Sequence, residues 1–302
     1  MIIPRKTMSD LGSNEQFDCA NPVQFSTRHS EDSMAVTDVR STPAASGKRT
    51  RRMLSILDLL REKGTVGLTE LAASLAISPA TARRDLAELA DQRLIVRTHG
   101  GARLIDSRSE LPVSLRDTKF QDAKRAIASA VADIIPRQRY AVALSGGSTA
   151  AHVARALAGH NELTIVTNSL TIAQLVTTFP QLKVVMTGGI LRPESLELVG
   201  VLAENTFNAI NLGTAILGTD GVTAAGGVTT HDETEARTNH AMVTHAQRVI
   251  VVADGSKIGR LALAQVATVD QVNLIVTDAT ADAQAVADLR AAGVTVLIVD
   301  AE

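Results

Sequence analysis

The chain has 302 residues, 45% of them hydrophobic and only 2% aromatic, with a single cysteine, Cys19, and a formal net charge of −2. That length suits two domains with sizeable cores, and the scarcity of rings argues against a protein that holds bases or sugars by stacking. One thiol excludes a disulfide framework or a Cys-based zinc site and makes a reducing cytosol the default.

Residues 1–47 are rich in Ser, Asp, Thr, Asn and Pro and have no apolar period, the composition of a disordered tail. The opening MIIPRKTMSDLGSNEQFDCANP lacks the apolar stretch of a signal peptide, and no apolar run along the chain reaches the length of a membrane span. A cytoplasmic protein with no membrane partner is expected. Met34 offers a later start of translation that keeps every basic residue used below, whereas Met53 does not.

Residues 48–105 change character. Eleven Lys and Arg stand against six Asp and Glu, a net of +5, which leaves −7 for the rest of the chain. A small basic segment joined to a large acidic one is the signature of a nucleic-acid module attached to something else. RRMLSILDLLREKG carries a helical apolar stripe, and Gly64 ends it. TELAASL predicts a short helix with Thr69 as its N-cap. After the turn AIS, SPATARRDLAELADQ predicts a third helix, capped by Ser78, with Pro79 at its first position. Ala82, Leu86 and Leu89 fall on one face of it.

Two helices joined by a tight turn describe a helix-turn-helix, whose second helix offers its N-terminal end to the major groove of DNA. Ser78, Thr81, Arg83 and Arg84 are the candidate contacts there. Neighbouring arginines point about 100° apart on a helix, so one can address base edges and the other the backbone. The competing reading pairs Arg83 and Arg84 with Asp85 and Glu88 as surface ion pairs. LIVRTHGGARLI (94–105) then reads as a β-hairpin wing, with Arg97, His99 and Arg103 placed for phosphate or the minor groove. Residues 106–120 are expected to link this winged domain to the next, and SELPVSLRDTKFQ to carry any signal between them.

From residue 121 to 302 the pattern becomes strand then helix. YAVAL (140–144), LTIVT (163–167), LKVVMT (182–187), TAILG (214–218), RVIVVA (248–253), VNLIVT (272–277) and VTVLIV (294–299) are continuous apolar runs, as expected of strands covered on both faces. Helical stretches alternate with them, predicting an α/β domain with a mainly parallel sheet. SGGSTAAHVARAL opens a helix directly after YAVAL. Gly146 and Gly147 allow a tight turn there, and backbone N–H groups, with Ser148 and Thr149, suit an anion such as phosphate. Polar or glycine-rich clusters end other strands. Ligands of open parallel sheets bind at strand carboxyl ends, so Asn168, Gly188, Gly189, Asp220 and Lys257 are expected around one pocket. Lys257 would serve phosphate, and Asp220 and Asn168 sugar hydroxyls. HDETEARTNH (231–240) is either a pocket flap or a capped helix start. No catalytic residue, metal site or cofactor is expected.

ELAASLAISPATARRDLAELADQRLIVRTHGGA resembles the DNA-binding domain of the DeoR-type bacterial transcription regulators, in its S-x-x-T-x-R-R-D-L core and its H-G-G-A ending. Ala82 stands where that family often has isoleucine. The larger half resembles the family's sugar-phosphate-binding domain, related in fold to ribose-5-phosphate isomerases, through TNSL, GG, GxxGV and SK in order over roughly 115–280. The resemblance implies a repressor of carbohydrate-metabolism genes, controlled by a phosphorylated sugar and acting on double-stranded operator DNA as a homo-oligomer, a dimer or tetramer. The family commonly reads L-D-S-G-T-T-T at the first loop. Here Ser145 replaces the aspartate and Ala150 a threonine, so the aspartate's role towards hydroxyls is lost or passes elsewhere. The alternative function is a sugar-phosphate isomerase with an appended DNA-binding domain, using Glu233, Glu235 or Asp220 as base. No spacing in the sequence places any of them beside a substrate carbon. A pure scaffold leaves the glycine-rich strand ends without a role.

Overall fold

The computed structural model describes residues 43–105 and 110–301, with side chains from residue 47 onward. Most of the expected tail, with Cys19 and Met34, therefore lies outside the described residues. Helix α1 (Pro43–Lys63) already begins within that segment. It buries Met53, Leu54, Ile56, Leu57 and Leu60 and stops at Gly64, whose φ of +75° suits only glycine well. Strand β1 (Thr65–Gly67) leads into α2 (Leu68–Ser74), and a turn through Ala76 leads into α3 (Pro79–Asp91). Strands β2 (Ile95–Thr98) and β3 (Gly101–Leu104) form the hairpin.

Strand β1 was not legible in the sequence, and it displaces one cap. Thr65–Gly67 pairs antiparallel with β3, giving the order β1-β3-β2. Gly67 is thereby both the last strand residue and the N-cap of α2, so Thr69 falls inside the helix instead of capping it. Gly101 permits the pairing, because a Cβ there would meet the Val66 carbonyl oxygen at 2.2 Å. Ser78 caps α3 as its sequence predicts: its Oγ accepts from the Thr81 N–H at 3.1 Å. Ala82, Leu86 and Leu89 are buried in the head's core.

A one-turn helix, α4 (Val113–Arg116), follows within the expected linker. Its Leu115 is buried in the head's own apolar core with Leu54, Leu57 and Leu60. The body then runs α5 (Gln121–Ile134), β4 (Tyr140–Leu144), α6 (Ser148–Ala156), β5 (Leu163–Thr167), α7 (Leu170–Val176) and β6 (Lys183–Met186). Next come β7 (Ile190–Arg192), β8 (Glu197–Val199), α8 (Val201–Asn208), β9 (Leu212–Gly218), β10 (Gly221–Thr223), β11 (Gly227–Thr230) and α9 (Glu233–His245). The chain closes with β12 (Ala246–Val252), β13 (Ala264–Ala267), β14 (Leu274–Asp278), α10 (Ala283–Ala291) and β15 (Thr295–Val299).

The seven apolar runs make one seven-stranded sheet of order β15-β14-β12-β9-β4-β5-β6, parallel throughout. Alternate residues serve opposite faces. Val142 and Leu144 pack with α5, α6 and α7 on one side, while Ala143 packs with α8, α9 and α10 on the other. From β4 the chain proceeds to β5 and β6 in one direction, and from β9 to β12, β14 and β15 in the other. The topological switch point therefore lies between β4 and β9, where a crevice opens at the carboxyl ends.

Candidate functional site

Two sites emerge, one on each domain. On the head, Arg83 and Arg84 are exposed on α3, and among the described residues neither forms an ion pair. The acids that might have neutralised them face the other way. Asp85 is 1% exposed and is gripped by Arg52 of α1, whose Nε makes a short contact to Oδ2 while Nη2 donates to Oδ1 at 3.0 Å. Arg49 stands 3.6 Å from Asp85 and pairs closely with Glu88. The surface-pair reading of Arg83 and Arg84 is thus replaced by an α1–α3 clamp. Ser78 and Thr81 lie at the same end of α3, their hydroxyls 2.9 Å apart, with Ser78 partly committed to capping. Arg97, His99 and Arg103 are exposed on the hairpin.

On the body, a cavity of about 460 Å³ occupies the switch-point crevice, a size suited to a small metabolite. Ser145, Gly146, Gly147, Ser148 and Thr149 form one wall, after β4. Both glycines are required by geometry. Gly147 has φ +97°, and a Cβ on Gly146 would stand 2.4 Å from the Glu197 carboxyl carbon. The facing wall, after β9, is Gly218, Thr219 and Asp220. Ser145, where the resembling family carries aspartate, ties the two walls: its Oγ accepts from the Gly218 N–H at 2.9 Å. Lys257 enters from a short turn after β12.

Gly146, Gly147, Ser148, Thr149, Asp220 and Lys257 are thus brought together around one cavity. Asn168, Gly188 and Gly189 are not among its lining residues. They follow β5 and β6, the strands that lead away from the switch point. Gly188 and Gly189 instead adopt φ of +72° and +126° on the approach to β7, where a Cβ on Gly189 would meet the Val199 carbonyl oxygen at 2.8 Å. Asn168 is fully buried behind the wall and donates to the Asn239 side chain at 3.2 Å, and Asn239 does line the cavity. Residues 231–240 form a capped helix start, with the Asp232 carboxylate accepting from the Glu235 N–H at 2.8 Å, and the inner face of α9 contributes to the cavity.

Charge within the cavity is denser than the sequence suggests. Asp220 is met by Arg116 at 3.1 Å, by Lys257 at 3.5 Å and by His231 at 2.7 Å. Burial alone would raise its pKa, but His231, Arg116 and Lys257 outweigh burial and hold the carboxyl well below the usual range. Asp220 is therefore committed to cations rather than free for a ligand hydroxyl. Glu110, Asp220 and His231 bring one donor atom each within 4.8 Å of one another. Arg116 contacts both carboxylates, so the set works as an ion-pair network, not as a cation site. Lys124 donates to the Arg116 carbonyl oxygen at 2.6 Å, and burial lowers its pKa to about 8.

Two carboxyls that sequence reasoning did not bring together meet on the inner side. Glu197 accepts from the Gly146 N–H and so takes up one donor of the glycine turn. Glu235 accepts from the Thr230 hydroxyl at 2.6 Å and from Arg192 at 3.1 Å. Burial raises the pKa of both, and for Glu235 the neighbouring Glu197 raises it further. No local signal announces Glu197, because it reaches Gly146 only through tertiary folding. Arg61, Lys119 and Arg260 also line the cavity, Arg61 from the head.

Comparison with known proteins agrees with this two-part build. The model of a DeoR-like helix-turn-helix domain matches residues 52–108, and that of the DeoR C terminal sensor domain matches residues 119–279. The glycerol-3-phosphate regulon repressor of Escherichia coli (strain K12) is 34% identical over 77% of this chain and 92% of its own. The HTH-type transcriptional regulator GlpR of Haloferax volcanii is 36% identical over 82% of this chain and 96% of its own. A solved ribose 5-phosphate isomerase A from Methanocaldococcus jannaschii aligns with 45% of this chain and 54% of its own, at 16% identity and a TM-score of 0.34, too slight a likeness to carry an argument. No helix among the described residues is long and apolar enough to cross a membrane. With both domain models matched in order and relatives above 30% identity along most of its length, the chain belongs to the DeoR family of helix-turn-helix transcriptional regulators.

Proposed function

We propose that this protein represses carbohydrate-metabolism genes and that a phosphorylated sugar or related metabolite, held in the switch-point cavity, sets its grip on operator DNA. The observation that carries the reading is the sorting of charge on α3. Asp85 and Glu88 are held by α1, which leaves Arg83 and Arg84 exposed at the end of the helix that a helix-turn-helix inserts into the major groove. Ser78 and Thr81 join them there, and Arg97, His99 and Arg103 address the backbone or the minor groove from the wing. Helix-turn-helix proteins read paired half-sites, so the working form is a homo-oligomer, at least a dimer.

In the cavity, the Gly146-Gly147-Ser148-Thr149 turn, through the donors that Glu197 leaves free, forms the anion-binding end with Lys124 and Lys257. Asn239, supported from behind by Asn168, is the group offered to the hydroxyls. Names of relatives support the ligand class, since a glycerol-3-phosphate regulon repressor is among them. They also weigh against the isomerase reading, because proteins matched over most of the chain are named as regulators.

Two measurements on the full chain test the proposal. Binding to fragments upstream of its own gene should weaken with salt, with a log–log slope of about −0.9 per phosphate neutralised. A panel of sugar phosphates should contain a member that raises the melting midpoint, as a ligand of the folded state must, and that shifts DNA affinity by roughly 5–150-fold. A flat salt response removes DNA as the partner. A panel in which no member stabilises the chain removes the phosphorylated effector.

A further inference from the structure

The cavity is not built by the body alone. Arg61 belongs to α1, the first helix of the head, yet lines the same cavity as Lys119, which belongs to the body side of the linker. A single carboxylate sits between them. Asp58, one helical turn before Arg61, accepts from Arg61 Nη1 at 3.0 Å and from Lys119 Nζ at 3.1 and 3.2 Å. All three side chains are partly exposed: Asp58 54%, Arg61 32% and Lys119 29%. Asp58–Lys119 is thus an ion pair tying head to body at the mouth of the cavity, made of groups that water still reaches. Such pairs contribute little and are readily exchanged. A doubly charged anion backed by Lys124 and Lys257 is a stronger partner for two cations than one solvated carboxylate.

The linker makes this exchange consequential. Leu115 is buried in the head's core, and the next residue, Arg116, holds Asp220 and Glu110 inside the cavity. Lys119 follows one turn later. The linker thus carries an apolar anchor in the head, Leu115, and an ionic tie to α1, Lys119, and the tie's two cations, Arg61 and Lys119, both line the cavity.

We propose that helix α1 of the DNA-binding head forms part of the effector site: Arg61 and Lys119 exchange Asp58 for the anionic group of the effector, and the tie between head and body is given up. This inference rests on reading the cavity as an anion-binding effector site. It assigns opposite roles to two residues that lie one turn apart. Arg61 contributes to ligand affinity, whereas Asp58 competes with the ligand. An effector can act only by binding one arrangement better than the other, and here the difference in affinity arises from the carboxylate that must be displaced.

The test uses the full chain, with inorganic phosphate and glucose 6-phosphate as probes, titrated calorimetrically. Arg61→Ala should weaken binding and Asp58→Asn should strengthen it, each by about fivefold, the size of one exposed ion pair. Arg61→Lys, which keeps the charge, should recover most of the loss. Amide exchange in α1 and in residues 113–119 should change when a probe saturates the wild type. General damage to the fold lowers affinity in both variants, so opposite signs identify the exchange. Probe binding that is the same in wild type, Arg61→Ala and Asp58→Asn overturns the inference and leaves the effector site standing. A wild-type chain that binds neither probe overturns the effector reading, and this inference with it.

Discussion

Replacing Asp85 with alanine tests whether the head is organised as described. Its carboxylate is 1% exposed and receives two donors from Arg52, with Arg49 3.6 Å away. Breaking a fully buried ion pair costs about 3–5 kcal/mol, while an exposed one is worth about 0–1 kcal/mol. Arg52 keeps 24% of its side chain in water and can be re-solvated once its partner is lost. The expected cost therefore falls between these limits, at about 2 kcal/mol, or about a 30-fold larger opening equilibrium for the head. Native-state amide exchange resolves this within α1 and α3, where protection should fall together by that factor. Asp85→Asn keeps one acceptor oxygen and should fall about half as far in free energy. Because Asp85 faces α1, DNA affinity should change only through the fraction of folded head. Unchanged protection in α1 and α3 would refute the clamp. So would a loss of DNA affinity at full protection, since that would place Asp85 on the DNA side and remove the reason Arg83 and Arg84 stand unpaired.

Three further outcomes follow from the same structure. Arg83→Ala and Arg84→Ala should each weaken operator binding by about 1–3 kcal/mol where the side chain reads a base, or reduce the salt slope by about 0.9 where it meets a phosphate. Both should leave amide protection intact, and gel-shift midpoints unchanged in both variants would refute groove insertion. Burial lowers the Lys124 pKa to about 8, so its ammonium is lost as pH rises through that value. A phosphate ester is already dianionic there, so effector affinity should drop between pH 7 and about 9. Lys124→Met should flatten that profile, and an equally pH-dependent variant would clear Lys124 of the role. Burial raises the Glu197 pKa above its unfolded value, so the folded chain holds a proton that the unfolded chain releases. Stability conferred by that proton is present at low pH and is lost as pH rises through the folded pKa. Glu197→Gln should therefore melt higher than wild type at pH 8, by about 2–4 °C per kcal/mol, with the gap closing towards pH 5. A gap that widens on acidification would contradict the assignment.

The sheet was legible because each of its strands is a continuous apolar run, and a parallel sheet covered on both faces leaves no other composition open. The helix-turn-helix was legible because Ser78-Pro79 and Gly64 mark helix ends by backbone chemistry that needs no tertiary partner. The cavity was half legible. Its glycine turn after β4 is local, but which other strand ends share it depends on strand order. Asn168, Gly188 and Gly189 end strands β5 and β6, on the far side of the switch point, and nothing in their own stretches shows that. Glu197 and Arg116 escaped for a related reason. Arg116 sits in a polar linker stretch and Glu197 stands alone between two leucines, and each is committed only when a distant loop arrives: Asp220 for Arg116, Gly146 for Glu197.

The head's net charge of +5 understates what it offers to DNA. Counting charges treats every acid as neutralising the nearest base, and on α3 that assigns Asp85 and Glu88 to Arg83 and Arg84. The fold assigns them to Arg49 and Arg52 instead, and gives Asp58 to Arg61 and Lys119. Four of the head's six acids, Asp58, Glu70, Asp85 and Glu88, are thus paired with cations of α1, away from the exposed arginines of α3. What remains at the exposed end of α3 and on the wing is cationic, a local field stronger than the domain's average charge implies. The same helix that draws the acids from α3 also presents Arg61 to the cavity and Asp58 to Lys119. On the effector-site proposal made above, helix α1 sets both the charge available to DNA and the charge available to a metabolite. A substitution there should change both affinities, while one on α3 or the wing should change only the first.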